Sequence, residues 1–191
     1  MTETAERKRE LRAVIRASRN ARAQDRRSSA AAELCAQLKA LVLALDARTI
    51  SCFLATATEP DTRPFLRWAR AQGIEVLLPV SRQDGELDWI RSLDEMTVLG
   101  AFDIEEPVGE VLPARSIEQV DLMLIPAAAV DQHGNRLGWG RGYFDRCFSA
   151  MTTVPPVWAV VFDDEVLPSV PVEPHDSPVH GAVTPSRTLS F

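Results

Sequence analysis

The sequence predicts an α/β protein of three layers, α/β/α, with helices on both faces of a mostly parallel sheet, in one domain of 191 residues. Three observations predict it. Short apolar runs alternate with helical segments along the chain, the order that winds a parallel sheet. One run, 121–125 (DLMLI), is continuously apolar, as strands buried on both faces are. And four of the nine glycines crowd into positions 134–142 just after it, where open α/β sheets carry their ligand loops.

The elements follow in order. Over 6–22 an amphipathic helix is expected, with Leu11, Val14, Ile15 and Ser18 on one face and Lys8, Arg12, Arg16 and Arg19 on another. Lys8 and Arg12 stand one turn apart and reach a common target. A second helix buries Leu34, Leu38, Leu41, Val42 and Leu45. These two helices make up 1–45, and 46–191 is the sheet body. Strands are expected at 49–54 and 74–79, with a helix at 62–72 between them. Asp84-Gly85 supplies a tight turn into 86–90, which alternates like an edge strand. After 121–125 come the glycine run, a helix from about Gly142, a strand at 157–162 and a short one at 181–184. The proline-rich stretch 168–178 reads as an extended loop, because too little chain remains for a second domain.

Composition narrows the function. At 46% hydrophobic and 25% charged, the chain has the make-up of an ordinary globular protein. No run reaches the apolar length of a membrane span, and the N-terminus lacks a signal peptide's apolar core, so a cytoplasmic protein is expected. Cys35, Cys52 and Cys147 have neither zinc nor disulfide spacing. A net charge of −6 argues against nucleic acid as a partner. Residues 1–27 nevertheless hold nine Lys or Arg against four acids, so a basic arm sits on an acidic body. Such an arm is either a solvated helix face or a lid over an anionic ligand, and charge alone favours the solvated face.

The chemistry concentrates in 133–146, HGNRLGWGRGYFDR. Glycines at this density let backbone approach a ligand closely, and Arg136, Arg141 and Arg146 call for an anion. Amide groups of such a loop and of the following helical turn point at phosphate. Asp145 falls on that turn, where a carboxylate suits magnesium bridging phosphates. The spacing is neither the dinucleotide fingerprint nor the Walker loop, and the pattern alone leaves a close-packed turn as the other reading.

The longer string 126–146, with Asp131, Gly134, Arg136-Leu137-Gly138, Gly140, Gly142-Tyr143 and Asp145-Arg146, closely resembles the signature of the 5-formyltetrahydrofolate cyclo-ligases, also called 5,10-methenyltetrahydrofolate synthetases. Weaker elements follow in the family's order: Lys8 and Arg12 as Lys-x-x-x-Arg, Phe53-Leu54 with Glu59, Phe102-x-Ile104-x-Glu106-Pro107, and 171–184 centred on Asp176. The resemblance implies a Rossmann-like fold of the NagB/RpiA/CoA-transferase type. It implies ATP- and magnesium-dependent closure of 5-formyltetrahydrofolate to 5,10-methenyltetrahydrofolate, with release of ADP and phosphate. In that chemistry the formyl oxygen is phosphorylated, N10 attacks, and phosphate departs.

By position, the resemblance assigns Lys8, Arg12, Arg136, Leu137, Gly138, Trp139, Gly140, Arg141, Gly142, Tyr143 and Phe144 to ATP. It assigns Leu54, Glu59, Phe102 and Tyr143 to the folate, Asp145 and Asp176 to the metal, and Arg141 and Asp145 to catalysis. Glu59 suits the pterin's N–H donors, and an aromatic at 102 suits its flat ring. Plainer roles stand beside these: core packing for Leu54 and Phe102, a helix cap for Glu59, a turn for Asp176. His133, His175 and His180 have no supporting ligand set. The chain departs from the family pattern at Asp103, Phe144, His180 and Pro185. A reduced folate is the expected partner, with neither nucleic acid nor membrane, and a monomer or weak homodimer the expected state. The rival readings are a non-catalytic folate- or nucleotide-binding relative and a sugar-phosphate-binding regulator.

Overall fold

Leu122–Pro126 (β7) is the centre from which the sheet is built, its first four residues buried. In the computed structural model, which describes residues 2–92, 96–100, 105–174 and 176–191, β7 pairs in parallel with Thr49–Ser51 (β1) and Val157–Val160 (β10). Glu75–Ser81 (β2) extends the parallel set beyond β1, and Gly181–Val183 (β12) beyond β10. Antiparallel strands finish the edges: Thr188–Ser190 (β13) on one side, Leu87–Arg91 (β3) and Glu110–Leu112 (β6) on the other. The strand order is β13-β12-β10-β7-β1-β2-β3-β6. The expectation of an edge at 86–90 is corrected, because β6 covers β3.

Period-two alternation sorts the strand side chains into two cores. Ile50, Val76, Leu78, Leu122, Leu124 and Trp158 face Gln24–Ala44 (α2) and Arg63–Ala71 (α3), which bury Leu34, Leu38, Phe65 and Leu66 there. Leu77, Met123, Ile125, Val157 and Ala159 face the opposite way, onto Phe148 of Tyr143–Ala150 (α4) and Ile117 of the 3-10 turn Ala114–Gln119. This is the three-layer arrangement that the sequence predicts.

Ala129–Asp131 (β8) and Arg136–Leu137 (β9) come between β7 and α4 in the chain, and Val166–Leu167 (β11) joins β8 to complete a three-stranded sheet. The glycine run therefore does not leave β7 directly; it begins in the β8–β9 turn. Asp131 organises that turn, accepting from the backbone N–H groups of His133, Asn135 and Val170 and from Asn135 Nδ2. Burial works to raise its carboxyl pKa, but these hydrogen bonds outweigh it and hold the group below the usual aspartate range. A further hairpin joins Thr97–Leu99 (β4) to Glu105–Pro107 (β5).

The first helix, Glu3–Ala21 (α1), turns its charges inward. Its buried residues are Lys8, Ile15 and Arg19, while Val14 is 65% exposed and Ser18 lies at the surface. Ile15 and the half-buried Leu11 of the expected apolar face do pack inward, but Val14 and Ser18 do not, and Lys8 and Arg19 are buried beside them. Ile15 packs with Ala128, Ala129, Leu137 and Val170, so α1 lies across the small sheet. Arg19 fixes it there: Nε donates to Glu165 Oε1 at 2.7 Å, and Nη2 donates to Glu165 Oε2 and the Ala127 carbonyl at 2.8 Å. The second carboxylate oxygen also accepts from the Phe162 N–H at 2.8 Å. Among the described residues, no helix is long and apolar enough to cross a membrane.

Candidate active site

The carboxyl ends of β1, β2 and β7 supply Phe53, Pro79 and Pro126 to the floor of one cleft of about 870 Å3. Open α/β sheets carry ligands at this end because the loops diverge there. The volume is at the large end for small-molecule sites and suits two substrates side by side.

Lys8 and Arg12 come from α1, with Arg16 and Asn20 continuing their stripe at four-residue spacing along the cleft. Lys8 Nζ donates to Glu173 Oε2 at 2.8 Å and Asp176 Oδ2 at 2.5 Å, both on the proline-rich loop. Arg12 Nε donates to the Gly138 carbonyl at 2.7 Å, tying the helix to the glycine run. Burial lowers the Arg12 pKa, with Asp176 and Glu173 acting against the shift. Lys8, Arg12 and Arg16 thus line the cleft, whereas Arg7, Arg9 and Arg26 of the same basic arm lie on the solvated face that charge alone favours.

The glycine run forms the facing wall. Gly140 has φ +90° and Gly142 φ +70°, left-handed values that side chains resist. A Cβ on Gly140 would stand 3.3 Å from the Arg12 guanidinium carbon. If ATP occupies this cleft, as the sequence resemblance implies, Gly140→Ala is expected to raise its KM about tenfold, since a strain of roughly one to two kcal/mol falls on the loop that seats Arg12. Steady-state kinetics at varied ATP checks this, and an unchanged KM would count against the loop as the phosphate wall.

Gly142 caps α4, so the first amides of that helix border the cleft. Arg141 is exposed at the loop tip, while Arg146 braces the loop from behind by donating to the carbonyls of Gly85 and Arg141 at 2.8 Å. The Tyr143 hydroxyl donates to the Arg82 carbonyl at 3.0 Å, and Phe144 packs against Phe148 with the two rings tilted at 42°. Leu137 is buried beneath the loop, and Trp139 lies under the guanidinium of Arg19 at 4.9 Å.

Arg136 is almost fully buried and paired with Asp145, and its Nε and Nη1 have no hydrogen-bond partner. Burial lowers its pKa, opposed by the charges of Asp145 and Asp176. Both acids therefore act on one guanidinium at the cleft wall.

Leu54 and Glu59 line the opposite end with Thr56 and Thr58. Glu59 Oε2 accepts from the Thr56 N–H at 2.9 Å and the Thr56 hydroxyl at 3.0 Å, which fixes the loop; Oε1 has no bond among the described residues. The helix cap weighed for Glu59 is not its role, since this bond closes the loop before α3 begins. Phe102, with Asp103 and Ile104, lies outside the described residues, as does His175. Every other expected site residue lines this cleft. His180 instead serves the sheet, its Nδ1 accepting from the Val157 N–H at 3.0 Å. Burial pushes the thiols of Cys52 and Cys147 up to about 12, so neither is a nucleophile at neutral pH.

Sequence reasoning missed Asn20 and Glu173. The helical spacing Lys8–Arg12–Arg16–Asn20 carried a signal for the first; nothing local marked the second, whose partner is 165 residues away.

An α/β sheet with a cationic glycine loop lining a large cleft, together with a Glu59 carboxylate oxygen that has no hydrogen bond among the described residues, makes a site of the class that takes anionic small molecules. The particular family emerges from comparison with known proteins. The family model described as the 5-formyltetrahydrofolate cyclo-ligase family matches residues 4–185, and the chain belongs to that family. It is 36% identical over 152 residues to the 5-formyltetrahydrofolate cyclo-ligase of Mycolicibacterium smegmatis, covering 77% of this chain and 78% of that protein. With the Escherichia coli K12 cyclo-ligase it shares 30% over 151 residues, 76% of this chain and 82% of that one. The NMR structure of Aquifex aeolicus 5,10-methenyltetrahydrofolate synthetase superposes with a TM-score of 0.80 at 27% identity, covering 96% of this chain and 92% of its own. A Mycoplasma pneumoniae synthetase, at a TM-score of 0.76 and 19% identity over 93% of this chain and 98% of its own, supports the fold alone.

Proposed function

We infer that this protein is a 5-formyltetrahydrofolate cyclo-ligase, closing 5-formyltetrahydrofolate to 5,10-methenyltetrahydrofolate with conversion of ATP to ADP and phosphate. One observation carries the reading beyond family membership. The phosphate-type wall and the Leu54–Glu59 wall belong to a single cleft, so two substrates would meet there without domain movement.

The chemistry needs little from the protein except position and charge. The formyl oxygen is a poor leaving group; carrying the γ-phosphoryl, it departs as phosphate when N10 attacks the formyl carbon and loses its proton. Glu59 Oε1 would accept from the pterin's amino and ring N–H groups and set the formyl group toward the glycine loop. Lys8 and Arg12 would hold the phosphates from one side, and the loop 136–144 from the other, with Leu137 and Trp139 supporting its backbone. Arg141 would meet the charge that develops on the transferring phosphoryl. Tyr143, at the junction, would border both substrates. Because Arg136 is buried against Asp145, it would act from beneath the loop, keeping Asp145 in place.

Asp145 and Asp176 both line the cleft, one paired with Arg136 and the other with Lys8, and among the described residues no cluster of three or more metal-ligating side chains forms, so a metal here would rest on these two carboxylates. That donor set fits magnesium, which takes one or two carboxylates and completes its shell with water and phosphate. When bound, magnesium would supply charge neutralisation on the phosphates. In this reading the chain acts as one cyclo-ligase domain, 1–45 adding the cationic wall to the body 46–191. It works in the cytoplasm on a reduced folate, as a monomer or weak homodimer.

Product stoichiometry tests the coupling. Purified protein with limiting 5-formyltetrahydrofolate and excess ATP should form one ADP per folate consumed, and almost none without folate. ADP formation indifferent to folate would contradict the reading.

A further inference from the structure

The cleft has an annex. Leu54 and Glu105 line both the cleft and a second recess of about 240 Å3, which lies between α3, β2 and the β4–β5 hairpin. Leu54, Leu66, Leu78 and Pro107 make its walls apolar, and two arginines interrupt them. Arg63 and Arg70 sit seven residues apart on α3, two turns and about 10 Å along one face.

The two arginines differ in their commitments. Arg63 frames the mouth: Nη1 donates to the Ala55 carbonyl at 2.5 Å and Nη2 to Glu105 Oε2 at 2.6 Å. Arg70 has no carboxylate partner among the described residues. It donates one bond, from Nη2 to Ser92 Oγ at 3.0 Å, and its Nε is buried without an acceptor. A part-buried guanidinium with an unfilled donor gains from an anion, and a charge-assisted bond there is roughly twice as strong as a neutral one. Apolar walls with that cation suit a flat or alkyl group ending in a carboxylate.

A folate substrate supplies such a group, so the role of the annex rests on the cyclo-ligase reading. With the pterin at Glu59, four residues before α3 begins, the rest of the folate is an aminobenzoyl group carrying glutamate. We propose that the annex binds this glutamate end, with Arg70 as the cation that reads one of its two carboxylates, the other left at the solvent side, and the Leu54–Leu66–Leu78 surface packing the ring. The aromatic part then lies along α3 between Arg63 and Arg70, and Arg70 sets specificity without touching the reacting atoms.

The test compares 5-formyltetrahydrofolate with 5-formyltetrahydropteroate, which keeps N5 and N10 but lacks the glutamate. Wild type should show a KM about tenfold lower for the glutamate-bearing substrate, the size expected of one charge-assisted contact. In Arg70→Met the two KM values should converge to within about twofold, with kcat little changed for either. Arg70→Lys, which keeps the charge without the planar fork, should give an intermediate ratio and serves if the methionine variant does not fold. A wild-type ratio near one, or a ratio that survives in folded Arg70→Met, overturns the proposal. Calorimetric binding of both folates without ATP separates it from the function itself. Arg70-dependent discrimination in binding with no turnover would sustain the annex and sink the cyclo-ligase reading, whereas full turnover with no discrimination would do the reverse.

Discussion

Arg141→Ala is expected to lower kcat by about 100- to 1,000-fold while the thermal midpoint stays within about 2 °C of wild type. The loop's shape is set by other groups. Gly140 and Gly142 hold the left-handed turns on either side, and Arg146 grips the Arg141 carbonyl, while the Arg141 side chain stands exposed at the tip. What alanine would remove is a full positive charge that the proposed function sets beside the transferring phosphoryl. Stopped assays for turnover and a thermal melt decide the matter. A midpoint that falls with the activity would return the run to a close-packed turn. Asp145→Ala offers no such clean separation. It would strand Arg136, a buried guanidinium that already has two unpartnered nitrogens, and so is expected to cost stability as well as activity.

The second large effect is on stability. Glu165→Ala should cost about 3–5 kcal/mol, because it leaves the Arg19 charge buried and unpaired. For a chain of this size the midpoint would fall on the order of 10 °C. The loss should reach function too: Arg19 anchors the helix that carries Lys8 and Arg12, so the KM for ATP should rise with kcat less affected. Replacing both partners, Arg19→Met with Glu165→Leu, should recover much of the stability by substituting apolar packing for the ion pair. Thermal melts of the two single variants and the double variant check this. A Glu165→Ala midpoint within about 2 °C of wild type would contradict the docking of α1 through this pair.

Much of the sheet was legible because its strands carry unambiguous apolar patterns. The run around Leu122–Ile125 could only be a central strand, and Leu34, Leu38, Leu41 and Val42 could only be one buried stripe; Leu45, expected with them, instead caps the helix and is 46% exposed. The strands that escaped are short: β9 and β11 have two residues each, and β4, β5, β6, β8 and β13 have three. Two or three residues show no period, and their pairing is set by distant neighbours. The mixed buried face of α1, with Lys8 and Arg19 beside Ile15, has a different cause. Periodicity sorts residues by hydrophobicity, and it sent Val14 and Ser18 inward. The structure buries Lys8 and Arg19 instead because carboxylates on remote loops meet them, Glu165 at a separation of 146 residues and Asp176 at 168. Long-range charge pairing leaves no trace in a local pattern.

The candidate site was more legible than the fold around it. Its glycines, arginines and Asp145 are contiguous in sequence, so a single string carries one wall. Lys8, Leu54, Glu59 and Asp176 were found through the resemblance, in the family's order, and all line the same cleft. The Arg70 annex had no such signal. An arginine near the end of an amphipathic helix reads as surface charge until Ser92 and Leu54 are brought beside it.

The central claim is that one cleft couples ATP to closure of the folate ring. The most direct measurement tracks the absorbance of 5,10-methenyltetrahydrofolate after mixing folded protein with 5-formyltetrahydrofolate, magnesium and ATP. A cyclo-ligase would give product that accumulates catalytically and stops when ATP or magnesium is withheld. Binding of both ligands with no ATP-dependent product would contradict the claim, and would leave the chain a non-catalytic member of its family.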